Sequence, residues 1–245
     1  MTPVGVVLAA GAGRRLRPHT DDLPKALVPI GDDLTILDVT LANFAYVGLA
    51  QAVIVVGYRG DRIIERVVAL QESTGLSIEI IENERAEEWN NAYSLWTARS
   101  WLERGALVAN GDTLHPPCVA RQLLAAGSGD AVLLAVDTVK VLGEEEMKVD
   151  VDDRRFLRRI SKRLPFDSFG EFLGVSFVPH HLAPLVTDAL ERTWRADPDR
   201  YYEDGFQLFA DEGGQVRAEP VGAIPWTEID DLADLVVAQE LACRY

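Results

Sequence analysis

The sequence has few of the residues on which several common kinds of site depend. It contains two cysteines and four histidines among 245 residues. Cys118 and Cys243 lie far apart and fit neither a metal-binding nor a redox motif, so we expect two free thiols in a reducing compartment. The histidines show no metal-ligand spacing and no triad partners. The sequence therefore gives no support to zinc chemistry or to Ser-His-Asp hydrolysis.

The chain also lacks a membrane segment and an excess of positive charge. No apolar run approaches the roughly 20 residues that span a bilayer, and no basic region followed by an apolar stretch opens the sequence. Lys and Arg number 24 against 39 Asp and Glu, which gives a formal net charge of −15. Nucleic-acid binding needs a basic face. We therefore expect a cytoplasmic protein whose partners are neither membranes nor nucleic acids.

The remaining composition is that of an ordinary globular protein, and its pattern predicts an α/β fold. Strand-like and helical runs alternate through the first half, with strands at 4–8, 52–56, 76–81 and 106–109 and helices at 35–47, 61–71 and 91–102. This alternation predicts a mostly parallel sheet with helices on both faces. The second half offers strands at 131–137, 147–151, 156–160, 171–178 and 223–226 and a helix at 230–241. We expect these strands to extend the same sheet and to form a small antiparallel lobe, within one domain over 1–245.

A loop rich in small residues, glycines and arginines follows the first strand. Gly11 and Gly13 lack the Cβ that would keep backbone N–H groups away from a polyphosphate. Arg15 offers forked donors to phosphate oxygens, and Lys25, set among prolines, offers a compact charge. The loop is neither a P-loop nor a dinucleotide fingerprint, because Leu16 stands where the fingerprint needs its third glycine. We interpret it as a triphosphate-binding loop; an ordinary turn is the alternative.

Acidic residues occur at two places where they could bind a metal ion. Gly111 and Asp112 follow a predicted buried strand, at the edge where open α/β sheets bind ligands. A carboxylate there could hold Mg²⁺, although a strand-end Asp is also a common turn residue. Glu228 and Asp230 are two positions apart, so an extended segment would direct both side chains to one side. The alternative is helix capping, because Asp231, or else Asp230, precedes an apolar helical run and is a good N-cap.

These motifs together resemble the signature of the nucleotidylyltransferases that activate sugar phosphates, phosphocholine and related acceptors. The matching residues are Leu8, Ala9, Ala10, Gly11, Gly13, Arg15, Leu16, Pro18, Thr20, Pro24, Lys25, Leu27 and Pro29. The resemblance implies a Rossmann-like, GT-A-like fold in which this loop and Gly111 bind the nucleotide. It also implies Mg²⁺ held by Asp112, Glu228 and Asp230, with Lys25, Arg15 and Asp112 as catalytic residues.

The segment 83–96 resembles the branch of that family which uses CTP, including phosphocholine and phosphonate cytidylyltransferases. Asn90, Asn91 and Ser94 carry this likeness, and their side chains offer the donors and acceptors that a pyrimidine edge needs. The alternative is that Asn90 or Asn91 caps the next helix, while Tyr93 and Trp96 fill the core.

The acceptor-binding residues are predicted from weaker matches to the same branch. Lys148 and Lys162 match a Met-Lys-Val and a Ser-Lys element, and Glu171 matches a loop that lines the acceptor pocket. A lysine in a strand is otherwise usually solvated. A cage for a quaternary ammonium would need several aromatic side chains, although scattered aromatics more often serve packing. The candidates for such a cage are Trp89, Tyr93, Trp194, Tyr201 and Tyr202.

The resemblance thus implies transfer of CMP from CTP to a small phosphate or phosphonate acceptor, with release of pyrophosphate. Residues 1–115 would mainly bind the nucleotide and residues 116–245 mainly the acceptor. Two other functions stay open at this point. One is a sugar-1-phosphate nucleotidylyltransferase that uses UTP, dTTP or GTP, and the other is a non-catalytic nucleotide-sensing module. The sequence is equally compatible with a monomer and a homo-oligomer.

Overall fold

The computed structural model describes residues 2–127 and 129–243 and shows alternating strands and helices. The strands are β1 (Val4–Ala9), β2 (Gln51–Val56), β3 (Ser77–Glu82), β4 (Ala106–Asn110), β5 (Thr113–Leu114), β6 (Val132–Asp137), β7 (Lys148–Val151), β8 (Leu157–Ser161), β9 (Gly170–Val178), β10 (Val216–Pro220) and β11 (Thr227–Glu228). The helices are α1 (Ile36–Tyr46), α2 (Gly60–Thr74), α3 (Asn91–Thr97), α4 (Arg99–Leu102), α5 (Pro117–Ala126), α6 (Ala183–Ala196), α7 (Tyr202–Asp211) and α8 (Leu232–Ala242). Short 3₁₀ turns occur at Arg14–Leu16 and Lys25–Leu27.

The main sheet is mixed and mostly parallel, in the order β10-β6-β9-β4-β1-β2-β3. Strand β9 runs antiparallel to both β4 and β6, while β1 is parallel to both of its neighbours. The hairpin β7–β8 joins β9 and forms the small antiparallel lobe. The predicted fold class is therefore confirmed.

Both faces of the sheet are covered by helices. Successive residues of each buried strand point to opposite sides, so the apolar strands present side chains that must be buried on both faces. Val6 of β1 packs in a cluster with Ala92 of α3 and Phe206 of α7, whereas the next residue, Val7, packs with Leu41 of α1. Burial on both faces explains why the central strands are continuous apolar runs. No helix among the described residues combines the length and the apolar character needed to cross a bilayer.

Some element boundaries differ from those predicted from the sequence. The helix predicted over 91–102 is divided at Ala98, whose ψ of 14° departs from the helical value. No strand forms at 223–226, and the two-residue β11 follows directly after that range; the elements β5, α5, α6, α7 and β10 were not predicted. The last helix begins after Asp231, as expected, because the Asp231 carboxylate accepts hydrogen bonds from the N–H groups of Ala233 and Asp234.

A short antiparallel pairing joins two distant parts of the chain at the carboxyl edge of the sheet. Strand β11 pairs with β5, which places Glu228 opposite Thr113. The N–H of Ile229 also donates to the carbonyl of Asp112 at 2.9 Å. Ile229 and Leu16 belong to one buried cluster that connects this pairing with the loop after β1. The acidic segment near the end of the chain is thereby held beside that loop.

Candidate active site

The loop after β1 takes a shape that requires glycine at position 13. Gly13 has φ of +57°, and an added Cβ would lie 3.0 Å from the Cβ of Lys25 and 3.1 Å from a methyl carbon of Thr20. The Thr20 hydroxyl donates to the Gly13 carbonyl at 2.8 Å. The following 3₁₀ turn buries Leu16 and leaves Arg15 exposed. These contacts bring Lys25 against the base of the glycine loop.

Gly111 allows the end of β4 to lie directly against β1. Its N–H donates to the carbonyl of Leu8 at 2.9 Å. An added Cβ would lie 2.7 Å from that carbonyl oxygen and 3.1 Å from the Cα of Ala9. A side chain would push the two strands apart, and the position of Asp112, the next residue, depends on this close approach.

Three carboxylates meet beside the loop. Asp112, Glu228 and Asp230 each offer one oxygen, and these oxygens lie within 4.8 Å of one another. Oδ1 of Asp112 is buried and finds no hydrogen-bond donor among the described residues. Converging carboxylate oxygens with an unmet acceptor match the ligand preference of a hard divalent cation. The three residues therefore fit a Mg²⁺ site.

Lys25 and Arg15 neutralise part of this negative charge. Nζ of Lys25 lies 2.8 Å from Oδ2 of Asp112 and 2.7 Å from Oδ1 of Asp230, and Nη2 of Arg15 lies 2.8 Å from Oδ2 of Asp230. Burial by itself lowers the pKa of Lys25, but the two aspartates outweigh it and raise the pKa well above its usual value. Lys25 is therefore fully charged at neutral pH.

The carboxylates of the cluster do not titrate alike. Burial raises the pKa of Asp230, but Lys25 and then Arg15 outweigh burial, so the pKa falls below its usual value. Burial, reinforced by Asp112 and Asp230, raises the pKa of Glu228 to about 8. A third negative charge is thus unfavourable here until a cation balances it.

A cavity of 260 Å³ lies between the glycine loop, α3 and the acidic cluster. Its walls contain many of the residues predicted from the sequence to bind nucleotide, metal or acceptor. These are Leu8, Ala10, Gly11, Arg15, Asn90, Asn91, Ser94, Asp112, Lys162, Glu228 and Asp230. Ala9, Gly13 and Gly111 are not among the lining residues, but Gly111 lies against Leu8 and Ala9, Gly13 lies against Lys25, and Lys25 contacts the carboxylates of Asp112 and Asp230.

The polar side chains of α3 both hold the fold and line the cavity. Asn90 caps α3, with Oδ1 accepting from the N–H of Asn91, and its Nδ2 donates to the carbonyl of Asp199. Oδ1 of Asn91 accepts from the N–H of Tyr202, and the Ser94 hydroxyl accepts from Nδ2 of Asn83. The helix-capping alternative is thus correct for Asn90, and the predicted contacts of these residues with a nucleotide base stay predictions.

Two residues predicted to bind the acceptor lie outside the cavity walls. Lys148 is buried, and its Nζ donates to the backbone carbonyls of Glu144, Glu146 and Lys162 at 3.3, 3.3 and 2.6 Å. Glu171, opposite Lys148 in the β7–β9 pairing, is buried in an ion pair with Lys140 at 2.9 Å. Both side chains thus contact other parts of the protein in this region of the sheet. Their predicted contact with an acceptor stays a prediction that this geometry does not support.

Three of the candidate cage aromatics, Trp89, Tyr93 and Trp194, pack on one another and on Trp96 instead. The rings of Trp89, Tyr93, Trp96 and Trp194 have centroids 4.8 to 5.7 Å apart. Tyr202 is buried and donates from its hydroxyl to Oδ1 of Asn110. The packing alternative is therefore correct for Tyr93 and Trp96, and a cage built from these rings is not formed.

A second cavity, of 650 Å³, adjoins the first and contains residues that the sequence did not indicate. Both cavities are lined by Met147, Lys162, Tyr201 and Glu203. Glu203 lies in the first turn of α7, and burial raises its pKa to about 8. No motif marks Glu203, because its place depends on how α7 packs. Asn110, also on the first wall, could have been found, since it opens the Asn-Gly-Asp motif after β4.

Comparisons with known proteins agree with this geometry. The model of the family "Nucleotidyl transferase" matches residues 4–141, more than half of the chain. A CMP-5'-(3-aminopropyl)phosphonate synthase from Streptomyces rubellomurinus is 30% identical over 244 residues, which cover 94% of this chain and 37% of that protein. A bifunctional IPC transferase and DIPP synthase from Rubrobacter xylanophilus is 32% identical over 241 residues, covering 96% and 51%. The chain thus spans about a third to a half of the length of these relatives.

Solved structures extend the likeness over the whole chain. The inositol-1-phosphate CTP transferase from T. maritima superposes with a TM-score of 0.79 at 26% identity, covering 98% of this chain and 96% of that one. A CTP:phosphocholine cytidylyltransferase from Streptococcus pneumoniae superposes with a TM-score of 0.75 at 20% identity, which supports the fold alone. Sequence and structure thus point to the same group of proteins.

Proposed function

This chain belongs to the nucleotidyl transferase family, and on that premise we propose that it transfers CMP from CTP to a small phosphate or phosphonate acceptor. The observation that carries the proposal is the position of Lys25. Its ammonium is buried beside the glycine loop, between two of the three converging carboxylates. The two relatives and the T. maritima structure support the choice of a cytidylyl group, because two of these three proteins bear CMP or CTP in their names.

The loop after β1 would bind the triphosphate of the nucleotide. Backbone N–H groups from Ala10 to Gly13 can approach phosphate oxygens closely, and Arg15, exposed at the cavity wall, can turn from Asp230 to the β- and γ-phosphates. Asn90, Asn91 and Ser94 on the opposite wall would face the base. Each amide and hydroxyl there retains hydrogen-bonding capacity beyond the contacts it makes in the fold.

The proposed reaction needs charge neutralisation more than proton transfer. An oxygen of the acceptor attacks the α-phosphorus of CTP, the bond from that phosphorus to the bridging oxygen breaks, and pyrophosphate leaves. The acceptor oxygen is already anionic, so no general base is required. Lys25 would stabilise the charge that develops on the α-phosphate. Mg²⁺, held by Asp112, Glu228 and Asp230, would neutralise phosphate charge when bound.

The proposal is tested by measuring pyrophosphate release with Mg²⁺ and each of CTP, UTP, dTTP, GTP and ATP. Each triphosphate is combined with phosphocholine, aminoalkylphosphonates, inositol-1-phosphate and hexose-1-phosphates. We expect release with CTP and a phosphate or phosphonate acceptor. Release only with a hexose-1-phosphate would contradict the proposal in favour of a sugar-phosphate enzyme. Triphosphate binding without any release would contradict it in favour of a sensing module.

A further inference from the structure

The wall shared by the two cavities contains an acidic group with an unmet hydrogen-bond acceptor. Glu203 is 5% exposed and lines both cavities. Its Oε2 finds no hydrogen-bond donor among residues 2–127 and 129–243. Among the same described residues, no Lys or Arg nitrogen forms an ion pair with the Glu203 carboxyl, for which the two atoms must lie within 4.0 Å of each other. A buried carboxyl oxygen without a donor is costly, so a ligand that brings a donor to Oε2 would gain by contacting it.

The same wall carries a positive charge at a separate point. Lys162 lines both cavities, with Nζ 5.8 Å from the centre of the Tyr201 ring and 3.7 Å from Oε2 of the exposed Glu145. One wall thus presents an ammonium and a carboxyl that are not paired with each other. This arrangement is complementary to a zwitterion that carries an anionic group at one end and a cation at the other.

The surroundings favour one kind of cation. A quaternary ammonium has no N–H donor, and its recognition depends on several aromatic faces. In the described part of the chain, the aromatic side chains on the cavity walls are Tyr201 and Phe172, while Trp89, Trp96 and Trp194 pack on one another. A primary ammonium brings three N–H donors, which is what the Glu203 carboxyl lacks.

We propose that Glu203 binds the primary ammonium group of a zwitterionic aminoalkyl phosphonate or phosphate, whose anionic end lies toward Lys162. Glu203 is then the residue that selects the acceptor in the reaction proposed above, on which this inference rests. Arg159 and Arg163 line only the second cavity, and Arg200 there is paired with Asp197 and Asp204. These arginines would attract a second anionic group, so an acceptor that carries one is the competing possibility. The test must distinguish such an acceptor from the zwitterionic one.

The test compares four acceptors of matched length with CTP and Mg²⁺: 3-aminopropylphosphonate, its N-trimethyl derivative, propylphosphonate and 3-phosphonopropionate. For the wild-type protein we expect the highest kcat/KM with the primary amine. Glu203→Gln, which removes the ionisable group and keeps the shape, should lower kcat/KM for 3-aminopropylphosphonate by about 10- to 100-fold. Its kcat/KM for propylphosphonate should stay within about 3-fold, since that acceptor does not use the carboxyl.

Glu219→Gln serves as the control. Glu219 is also a buried glutamate, but it lies in β10 outside both cavities and pairs with Arg217 and Arg155. It should leave the preference among the four acceptors unchanged. The inference is overturned if Glu203→Gln lowers all four values equally, or if the wild type prefers the trimethyl compound or 3-phosphonopropionate.

Calorimetric binding of 3-aminopropylphosphonate, with no turnover required, separates this inference from the proposed function. Binding by the wild type that is weakened about 10-fold or more in Glu203→Gln would support the ammonium site even if no CMP were transferred. Equal binding by both proteins, or no binding by either, would overturn it whatever the transfer assay showed.

Discussion

Replacing Lys25 with Met should change metal binding and turnover in opposite directions. The Lys25 ammonium lies 2.8 and 2.7 Å from two carboxylate oxygens of the acidic cluster. Lys25 and a divalent cation therefore compete for Asp112 and Asp230. Two unit charges about 4 Å apart interact by about 4 kcal/mol at the effective dielectric of a protein surface. Much of this repulsion is avoided when the lysine side chain moves away from the cation. We therefore expect Lys25→Met to make the binding of Mg²⁺ more favourable by about 1.4 to 2.8 kcal/mol.

The corresponding change is an affinity for Mg²⁺ that rises about 10- to 100-fold in the nucleotide-free variant. Turnover should nevertheless fall by about 10²- to 10³-fold, the usual cost of removing one preorganised charge from a transition state. Without metal, the free energy of unfolding should also fall by about 3 kcal/mol, because the variant leaves partly buried carboxylates without their cation. Saturating Mg²⁺ should restore most of this loss.

Isothermal titration of the nucleotide-free protein with Mg²⁺ measures the affinity, and pyrophosphate release measures the turnover. Lys140→Met is the matched control, because Lys140 also pairs with a buried carboxylate, that of Glu171, but lies outside both cavities. An unchanged or weaker Mg²⁺ affinity in Lys25→Met would refute the competition. Near wild-type turnover would refute the catalytic role.

Two further predictions concern stability. Gly111→Ala should lower the free energy of unfolding by about 1 to 3 kcal/mol in urea titration, because its Cβ would lie 2.7 Å from the Leu8 carbonyl oxygen. Gly11→Ala, whose Cβ meets nothing within 4 Å, is the control, and equal losses would contradict the packing argument. Burial lowers the pKa of His115 to about 4 in the folded protein, against about 6.5 in the unfolded chain. The stability that the neutral His115 contributes is therefore complete above pH of about 6.5 and is lost as the pH falls toward 4. Between about pH 7 and about pH 5 the wild type should lose about 2 kcal/mol more than His115→Gln, and parallel losses would show that His115 does not titrate in this way.

The central sheet and the glycine loop beside the acidic cluster could be predicted from the sequence because both are encoded locally. The strand β1 and the loop after it are contiguous, and glycines and arginines there have few other reasons to occur together. The capping role of Asp231 was equally local, since it depends on the residues that immediately follow.

The wall that contains Glu203, the proposed acceptor end, could not be predicted in the same way, because it is built by packing between distant elements. Glu203 reaches the cavity through the packing of α7 against the rest of the fold, and no neighbouring residue indicates its burial. For Lys148, a match to a family motif predicts contact with an acceptor, while in the structure its ammonium donates to three backbone carbonyls beside the β7–β9 pairing. In both cases the position of the side chain depends on contacts between distant elements, helix packing for Glu203 and strand pairing for Lys148.

The pairing of β5 with β11 has a consequence for the order in which the protein is made. Lys25 and Asp230, which share a hydrogen bond, are 205 positions apart. A ribosome releases the glycine loop and Asp112 long before it releases Glu228 and Asp230. While the chain emerges, the glycine loop is therefore present with only one of the three carboxylates. The proposed metal site is complete only once β11 and Asp230 have followed.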